Sequence, residues 1–363
     1  MKKTLVLLLA LCLLLSLCAC QSKPETPAST PAKTEAPAST PAGTDAPVST
    51  PAQTESPAPT AQTEAPAEGA ELRVYSLKGP TSMGLVTLLE DSKNGKTVNR
   101  YVSTLCAAAD EVTAALIGGK ADIALLPANA AAALFNKAGG FSVVGINTLG
   151  VLYVVENGET VQSVADLAGK TVYLTGKGTV PEYSLRYLLA KNGIEDQVTL
   201  EFKSEPQEVV AAMTEDVAAI GMLPQPFVTA ALAQNEGLRI ALSLTDEWEK
   251  AAPDSAFVTG VTVVRNEILE QYPQQIAAFL REAAAGVDYV NAHPDEAAPL
   301  IAELGIVPQA PLAQKAIPFC NLVCLTGPEM KDRLSGYLQT LFDQNPAAVG
   351  GAMPADEFYY TGE

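Results

Sequence analysis

The sequence predicts an α/β protein of two Rossmann-like αβα lobes, and three observations carry that expectation. First, Glu111–Pro127 lies over Glu208–Pro224 without a gap, and eight of the seventeen positions are identical, from Glu111/Glu208 to Pro127/Pro224. Second, "YSLKGPTSMGLVTLLEDSKNG" (Tyr75–Gly95) matches "YLTGKGTVPEYSLRYLLAKNG" (Tyr173–Gly193) at an offset of 98 residues. Third, short apolar runs alternate with amphipathic ones through both copies, the pattern of parallel strands connected by helices. Either one unit occurs twice or two αβα segments merely look alike.

Two segments precede the repeats. Lys2 and Lys3 stand before Leu5–Leu17, an uncharged leucine-rich run too short to span a bilayer comfortably and placed where an export signal belongs. Its end, Leu17-Cys18-Ala19-Cys20, resembles a bacterial lipobox, so residues 1–20 read as a lipoprotein signal peptide with Cys20 as the lipidation site. Residues 21–70 repeat loosely every ten positions, as in "PASTPAKTEA" and "PASTPAGTDA", and contain no aromatic side chain. Such a composition cannot offset chain entropy with a core and reads as a disordered spacer.

Each copy of the unit then follows the same order. Strands at Leu72–Leu77 and Thr171–Thr175 lead into glycine-bearing turns, Lys78-Gly79-Pro80-Thr81-Ser82 and Gly176-Lys177-Gly178-Thr179. Each turn feeds an amphipathic helix ending in Lys-Asn-Gly, where Gly95 and Gly193 supply C-caps. Strands at Val98–Ser103 and Val198–Lys203 follow, then helices near Asp110–Ile117 and Gln207–Thr214, then the strands that close the first repeat. Beyond these, "TGVTVVRN" reads as a strand. The stretch "PQQIAAFLREAAAGVDYVNAHP" reads as a helix with Ile276, Phe279, Leu280, Val287 and Val290 on one side. Further helices are expected near Asp295–Leu304 and Pro328–Gln344.

Charge and composition narrow the function. A formal net charge of −18 argues against nucleic acid, which selects a basic face, yet allows an anionic ligand that feels only local donors. His293 is the only histidine, which removes His-dependent hydrolytic triads and multi-histidine metal centres. No Gly-x-Ser-x-Gly elbow, P-loop or dinucleotide fingerprint occurs. Cys320 and Cys324 have a spacing seen in metal sites but no histidine beside them; whether they pair is open. No enzyme activity, cofactor or metal is expected.

The order lipobox, spacer, "KGPTSMG", "ADIALLPANAA", "GKGTVPEYSLRYLLAKNG", "MLPQPF" and "VGG…FYY" resembles the solute-binding lipoproteins of ABC transporters. The branch it resembles binds nitrate, sulfonates, taurine or thiamine precursors. The resemblance covers nearly all of Glu71–Glu363 and implies the type 2 periplasmic-binding fold, in which two lobes are joined by two crossing strands. It implies a monomer, tethered outside the cytoplasm, that captures a small solute and hands it to a membrane permease. A tethered ligand sensor and an exported enzyme are the competing classes. On this reading the crossings fall near Asn147–Tyr153 and Ser243–Trp248. Lobe one is then residues 71–148 plus 246–363, and lobe two residues 149–245.

In such folds ligands collect beyond the carboxyl ends of the strands. The expected contacts from lobe one are Gly79, Pro80, Thr81, Ser82, Met83, Cys106 and Asn129. From lobe two they are Lys177, Gly178, Thr179, Glu182, Tyr183, Gln225 and Phe227. Hydroxyls and backbone N–H groups at the helix starts suit polar oxygens, while Tyr183 and Phe227 suit a flat or apolar part. Glu182 also fits a first-turn acid favoured by the helix dipole. Trp248, the only tryptophan, is expected to pack at a lobe edge rather than stack on the ligand.

Overall fold

The computed structural model describes residues 69–216, 218–253 and 255–362. The signal peptide, Cys20 and all but the last two residues of the spacer lie outside the described residues.

Strand β1 (Glu71–Leu77) leads through helix α1 (Pro80–Met83) to α2 (Val86–Lys93), β2 (Arg100–Cys106), α3 (Ala109–Ile117), β3 (Ile123–Pro127), α4 (Ala128–Ala138) and β4 (Phe141–Leu149). The second repeat supplies β5 (Leu152–Asn157), β6 (Thr171–Leu174), α5 (Val180–Lys191), β7 (Thr199–Phe202), α6 (Pro206–Glu215), β8 (Ile220–Pro224), α7 (Phe227–Gln234) and β9 (Leu238–Ser243). After α8 (Leu244–Ala251) come β10 (Val258–Arg265), α9 (Asn266–Gln271), α10 (Pro273–Ala292), α11 (Pro294–Glu303), α12 (Ala310–Ala316), β11 (Leu322–Leu325) and α13 (Gly327–Gln344).

These strands form two sheets, with orders β11-β4-β10-β3-β1-β2 and β7-β6-β8-β5-β9. The repeats are visible in the pairing: β1 lies parallel between β2 and β3, as β6 lies between β7 and β8. The sheets are nevertheless mixed, not parallel throughout. β10 runs antiparallel to β3 and β4, and β5 antiparallel to β8 and β9, because each is a strand just arrived from the other lobe.

The first crossing falls between Leu149 and Leu152, inside the expected stretch. The return does not fall at 243–248, which is helix α8. Ser243 caps it by accepting from the Asp246 N–H, Asp246 and Glu247 sit in its first turn, and it buries Leu244, Thr245 and Trp248. A Ser-x-x-Asp start before an apolar residue is a helix signal, and here it outweighs the extended reading. The helix packs on β5, β9 and α5, so the chain is still on the second lobe at Ala251 and has joined the first sheet by Val258.

One hydrophobic cluster runs through both lobes, from Leu126 and Val143 in the first sheet to Val154 and Leu174 in the second. Trp248, fully buried, stands where they meet. Its ring lies 4.6 Å from Tyr187 of α5, 5.4 Å from Phe257 and 5.5 Å from Tyr337 of α13. Its indole N–H donates to Ser255 Oγ at 3.2 Å. The tryptophan is therefore a packing residue beside the crossing strands.

Each sheet also holds a buried carboxylate. Asp122 accepts from the Arg73 N–H, from the Arg73 guanidinium at 2.5 and 2.8 Å, and from Arg265 at 2.8 Å. Glu156 accepts from Thr160, Val161 and Arg239 in the second sheet. Burial raises both pKa values, but the donated hydrogen bonds outweigh it and hold both below the ordinary carboxylate value. No helix among the described residues is long and apolar enough to cross a membrane.

Candidate functional site

The chain crosses between lobes at Gly150, which is wedged so closely that a methyl group there would lie 2.3 Å from both the Phe257 ring and Thr245 Oγ1. Asn321, with φ of 45°, holds this point from lobe one. Its carbonyl accepts from the Leu149 N–H at 3.0 Å, and its Nδ2 donates to Gly150 O at 2.6 Å and Thr245 Oγ1 at 3.4 Å. From lobe two, the Gln225 N–H donates to Val151 O at 3.0 Å, and the Tyr153 hydroxyl donates to Phe319 O at 2.7 Å. The strand ends of both sheets are thus gathered at one hinge.

A cavity of about 530 Å³ opens between the lobes to one side of the hinge. Lobe one contributes Lys78 and Gly79 from the end of β1 and Ile306, Pro308 and Leu312 from the turn into α12 and the helix itself. Lobe two contributes Gln207, Val210, Pro226, Phe227, Ala230, Ala231 and Gln234 from α6 and α7. The floor is apolar, while Lys78, Gln207 and Gln234 stand at the exposed rim. A second inter-lobe cavity, about 430 Å³, lies between α5 and the end of α13, lined by Glu182, Tyr183, Arg186, Gln344 and Asn345 among others.

The expected ligand residues divide accordingly. Gly79 from lobe one and Phe227 from lobe two both line the first cavity. Glu182 and Tyr183 line the second, but both are already engaged. The Tyr183 oxygen accepts from Asn345 Nδ2 at 2.8 Å. Glu182 accepts from the Gly178 N–H at 2.7 Å and from Arg186 Nε at 2.8 Å. Burial raises the Glu182 pKa, and these donors overcome it to leave the carboxyl below its ordinary value. Thr179 Oγ1 donates to Gly176 O at 2.6 Å, closing the same loop on itself. Lys177 is exposed, with its ammonium 5.8 Å from the Phe202 ring centre.

Met83 is fully buried against Val86, Val287 and Val290, so it belongs to the lobe-one core and not to a ligand surface. Cys106 is also core; burial pushes its thiol pKa up, with nearby Glu111 adding to the effect. Ser82 is buried and donates to Leu77 O, the bond that folds the turn after β1. Pro80 opens α1, and Thr81 lines a narrow lobe-one crevice beside Asn147. Asn129 Nδ2 donates to Ala348 O at 3.4 Å. Gln225 is buried; its Oε1 accepts from Thr229 Oγ1 at 2.8 Å, and its Nε2 has no partner among the described residues.

Cys320 and Cys324 are free thiols whose nearest acceptors are Ala316 O and Leu280 O. Among the described residues no group of three or more His, Cys, Asp or Glu side chains is placed to hold a metal ion. The residues missed in the sequence are those of the far wall: Val210, Ala230, Ile306, Pro308 and Leu312. They come from α6, α7 and the turn into α12, segments far apart in the chain, and no local pattern announces that α7 and α12 meet.

The sequence model of the family described as NMT1/THI5 like matches residues 104–297. No curated protein matches the sequence. Among solved structures, an ABC transporter from Parabacteroides distasonis is 26% identical with a TM-score of 0.68, covering 80% of this chain and 98% of that one. The periplasmic aliphatic sulphonate binding protein SsuA from Escherichia coli is 17% identical with a TM-score of 0.60, covering 78% and 92%. The alkanesulfonate-binding protein SsuA from Xanthomonas axonopodis pv. citri, bound to MOPS, is 15% identical with a TM-score of 0.56, covering 80% and 96%. The likeness to the two sulfonate-binding proteins is one of fold.

Proposed function

The chain belongs to the NMT1/THI5-like family, and from that premise we propose that it is the extracytoplasmic solute-binding component of an ABC importer. The observation that carries this reading is the cavity walled by both lobes, with Gly79 on one side and Phe227 on the other. A solute seated there touches both lobes, so its contacts differ between closed and open arrangements. That difference is what a ligand needs in order to shift the equilibrium between them. The shared aromatic cluster around Trp248 and the Asn321 clamp keep the hinge side together, which leaves the α7–α12 side to open.

The protein works by capture and release, without covalent chemistry. It acts as a monomer, anchored at the outer face of the membrane through a lipidated Cys20 and presented to its permease on a proline-rich spacer. Native mass spectrometry of the full-length protein against a metabolite mixture identifies the solute, and uptake of that solute is then measured in a deletion strain. Uptake falls if the chain serves an importer; unchanged uptake overturns the transport reading. A Cys20→Ala variant released from the membrane fraction is the expected result for the anchor, and unaltered membrane association would refute it.

A further inference from the structure

Five buried side-chain atoms among the described residues have no hydrogen-bond partner: Ser184 Oγ, Gln225 Nε2, Arg265 Nε, Tyr337 OH and Tyr359 OH. Two of them belong to helices of different lobes that pack on each other, Ser184 on α5 and Tyr337 on α13. Both residues are fully buried. They are also neighbours: burial pushes the Tyr337 pKa up, and the Ser184 hydroxyl draws it part of the way back. Yet neither hydroxyl completes a hydrogen bond in this arrangement.

Their surroundings are apolar. The Tyr337 ring lies 5.5 Å from Trp248 and 6.0 Å from Phe257, and Tyr187, one turn beyond Ser184, lies 4.6 Å from Trp248. The next contact along the same seam differs. Asn345 and Tyr183 are half-buried beside the second inter-lobe cavity, so water can replace either partner of their bond. A hydroxyl enclosed by aromatic rings has no such substitute, and stranding it there costs free energy that a bonded or hydrated hydroxyl does not.

The lobes touch on both sides of the hinge, α7 against α12 and α5 against α13, so this is the closed arrangement. Because α5 belongs to one lobe and α13 to the other, parting α7 from α12 shifts α5 along α13. We propose that Ser184 and Tyr337 act as a brake on closure: their hydroxyls are stranded when the lobes close and find partners when the lobes part, so the empty protein rests open. The inference rests on the reading of the chain as a solute-binding protein whose lobes move. Solute contacts in the cleft must then offset the stranded pair, and closure reports that the cleft is loaded.

The test needs no solute. Nitroxide labels on Ala233→Cys of α7 and Gln314→Cys of α12, both exposed positions, report the gap between the lobes of the full-length protein by electron–electron double resonance. The empty protein with both hydroxyls gives mainly the longer distance. Tyr337→Phe and Ser184→Ala each delete one stranded oxygen and keep the shape. Each moves the ratio of closed to open about fivefold toward closed, the low end for one unmatched buried hydroxyl. The double variant multiplies the two shifts, since each oxygen is stranded on its own. Thermal transitions stay at or above that of the wild type.

An unchanged ratio in both single variants overturns the proposal. So does a shift toward open with a lowered thermal transition, because the hydroxyls are then bonded in the closed form, to each other or through a trapped water. One fixed distance in every variant overturns it as well. The transport reading is decided separately, by uptake of the identified solute in the deletion strain. Uptake lost with the label ratio unchanged removes the brake alone, while uptake intact with the ratio shifted removes the transport role and leaves the brake standing.

Discussion

Asn345 Nδ2 donates to the Tyr183 phenol oxygen at 2.8 Å, fastening the end of α13 in one lobe to α5 in the other. Tyr183 thus serves as a tie between lobes on the side opposite the α7–α12 cavity. Tyr183→Phe keeps the ring and removes the acceptor. It is expected to lower the free energy of unfolding by about 1 kcal/mol, measured by urea denaturation, while leaving affinity for the bound solute within about twofold. Unchanged stability with a large loss of affinity would return Tyr183 to the ligand surface.

Met83 provides the sharpest contrast between a core and a contact residue. Because it is fully buried beside α10, Met83→Ala should cost roughly 2–5 kcal/mol, as large-to-small changes in packed cores do. A drop of less than about 1 kcal/mol in chemical denaturation would mean that the site tolerates the loss, as a ligand-facing methionine does.

The Asp122 cluster sets an acid limit on stability. Burial raises the carboxyl pKa, but hydrogen bonds from Arg73 and Arg265 more than compensate, so its native value lies below the unfolded value of about 3.9. Its contribution is therefore fully present above that unfolded value and is lost as pH falls through the lower native one. Asp122→Asn should cost about 3 kcal/mol at pH 7, the low end for breaking a buried ion pair because Arg73 keeps an exposed edge. The gap between variant and wild type should narrow below about pH 4 in urea titrations. A gap independent of pH down to 2 would show that the carboxylate charge is not what stabilises the site.

Trp248 reports on the hinge and not on the solute. With the side chain fully buried among Tyr187, Phe257 and Tyr337, native emission should be blue-shifted and resistant to iodide quenching, and saturating solute should leave both unchanged. A solute-dependent change in quenching would place the indole at the cleft.

The thiols should be inert in the folded protein. Burial pushes Cys320 up to about 12 and, together with the Asp288 charge, Cys324 up to about 11, so little thiolate exists at pH 8. A disulfide-exchange reagent is expected to modify both only in denaturant; rapid reaction of Cys320 in the native protein would contradict its burial.

The amino-acid pattern by itself determined the elements and their repetition. Turn glycines, the Lys-Asn-Gly helix ends and the apolar strands are signals within ten or twenty residues, and they placed β1, β6, α5 and α10 to within a few positions. Gly79 and Phe227, two of the residues it singled out, line one cavity between the lobes. Only the tertiary structure decided which donors and acceptors at those ends are already satisfied. Glu182 turns back on Gly178, Tyr183 reaches Asn345, Met83 sinks beneath α10, and α12 arrives to wall the cavity from more than two hundred residues beyond β1. Sequence periodicity reports which face of an element is apolar, but the partner that covers that face is fixed by long-range packing. Whether a polar group near a cleft is spent or free depends on that partner.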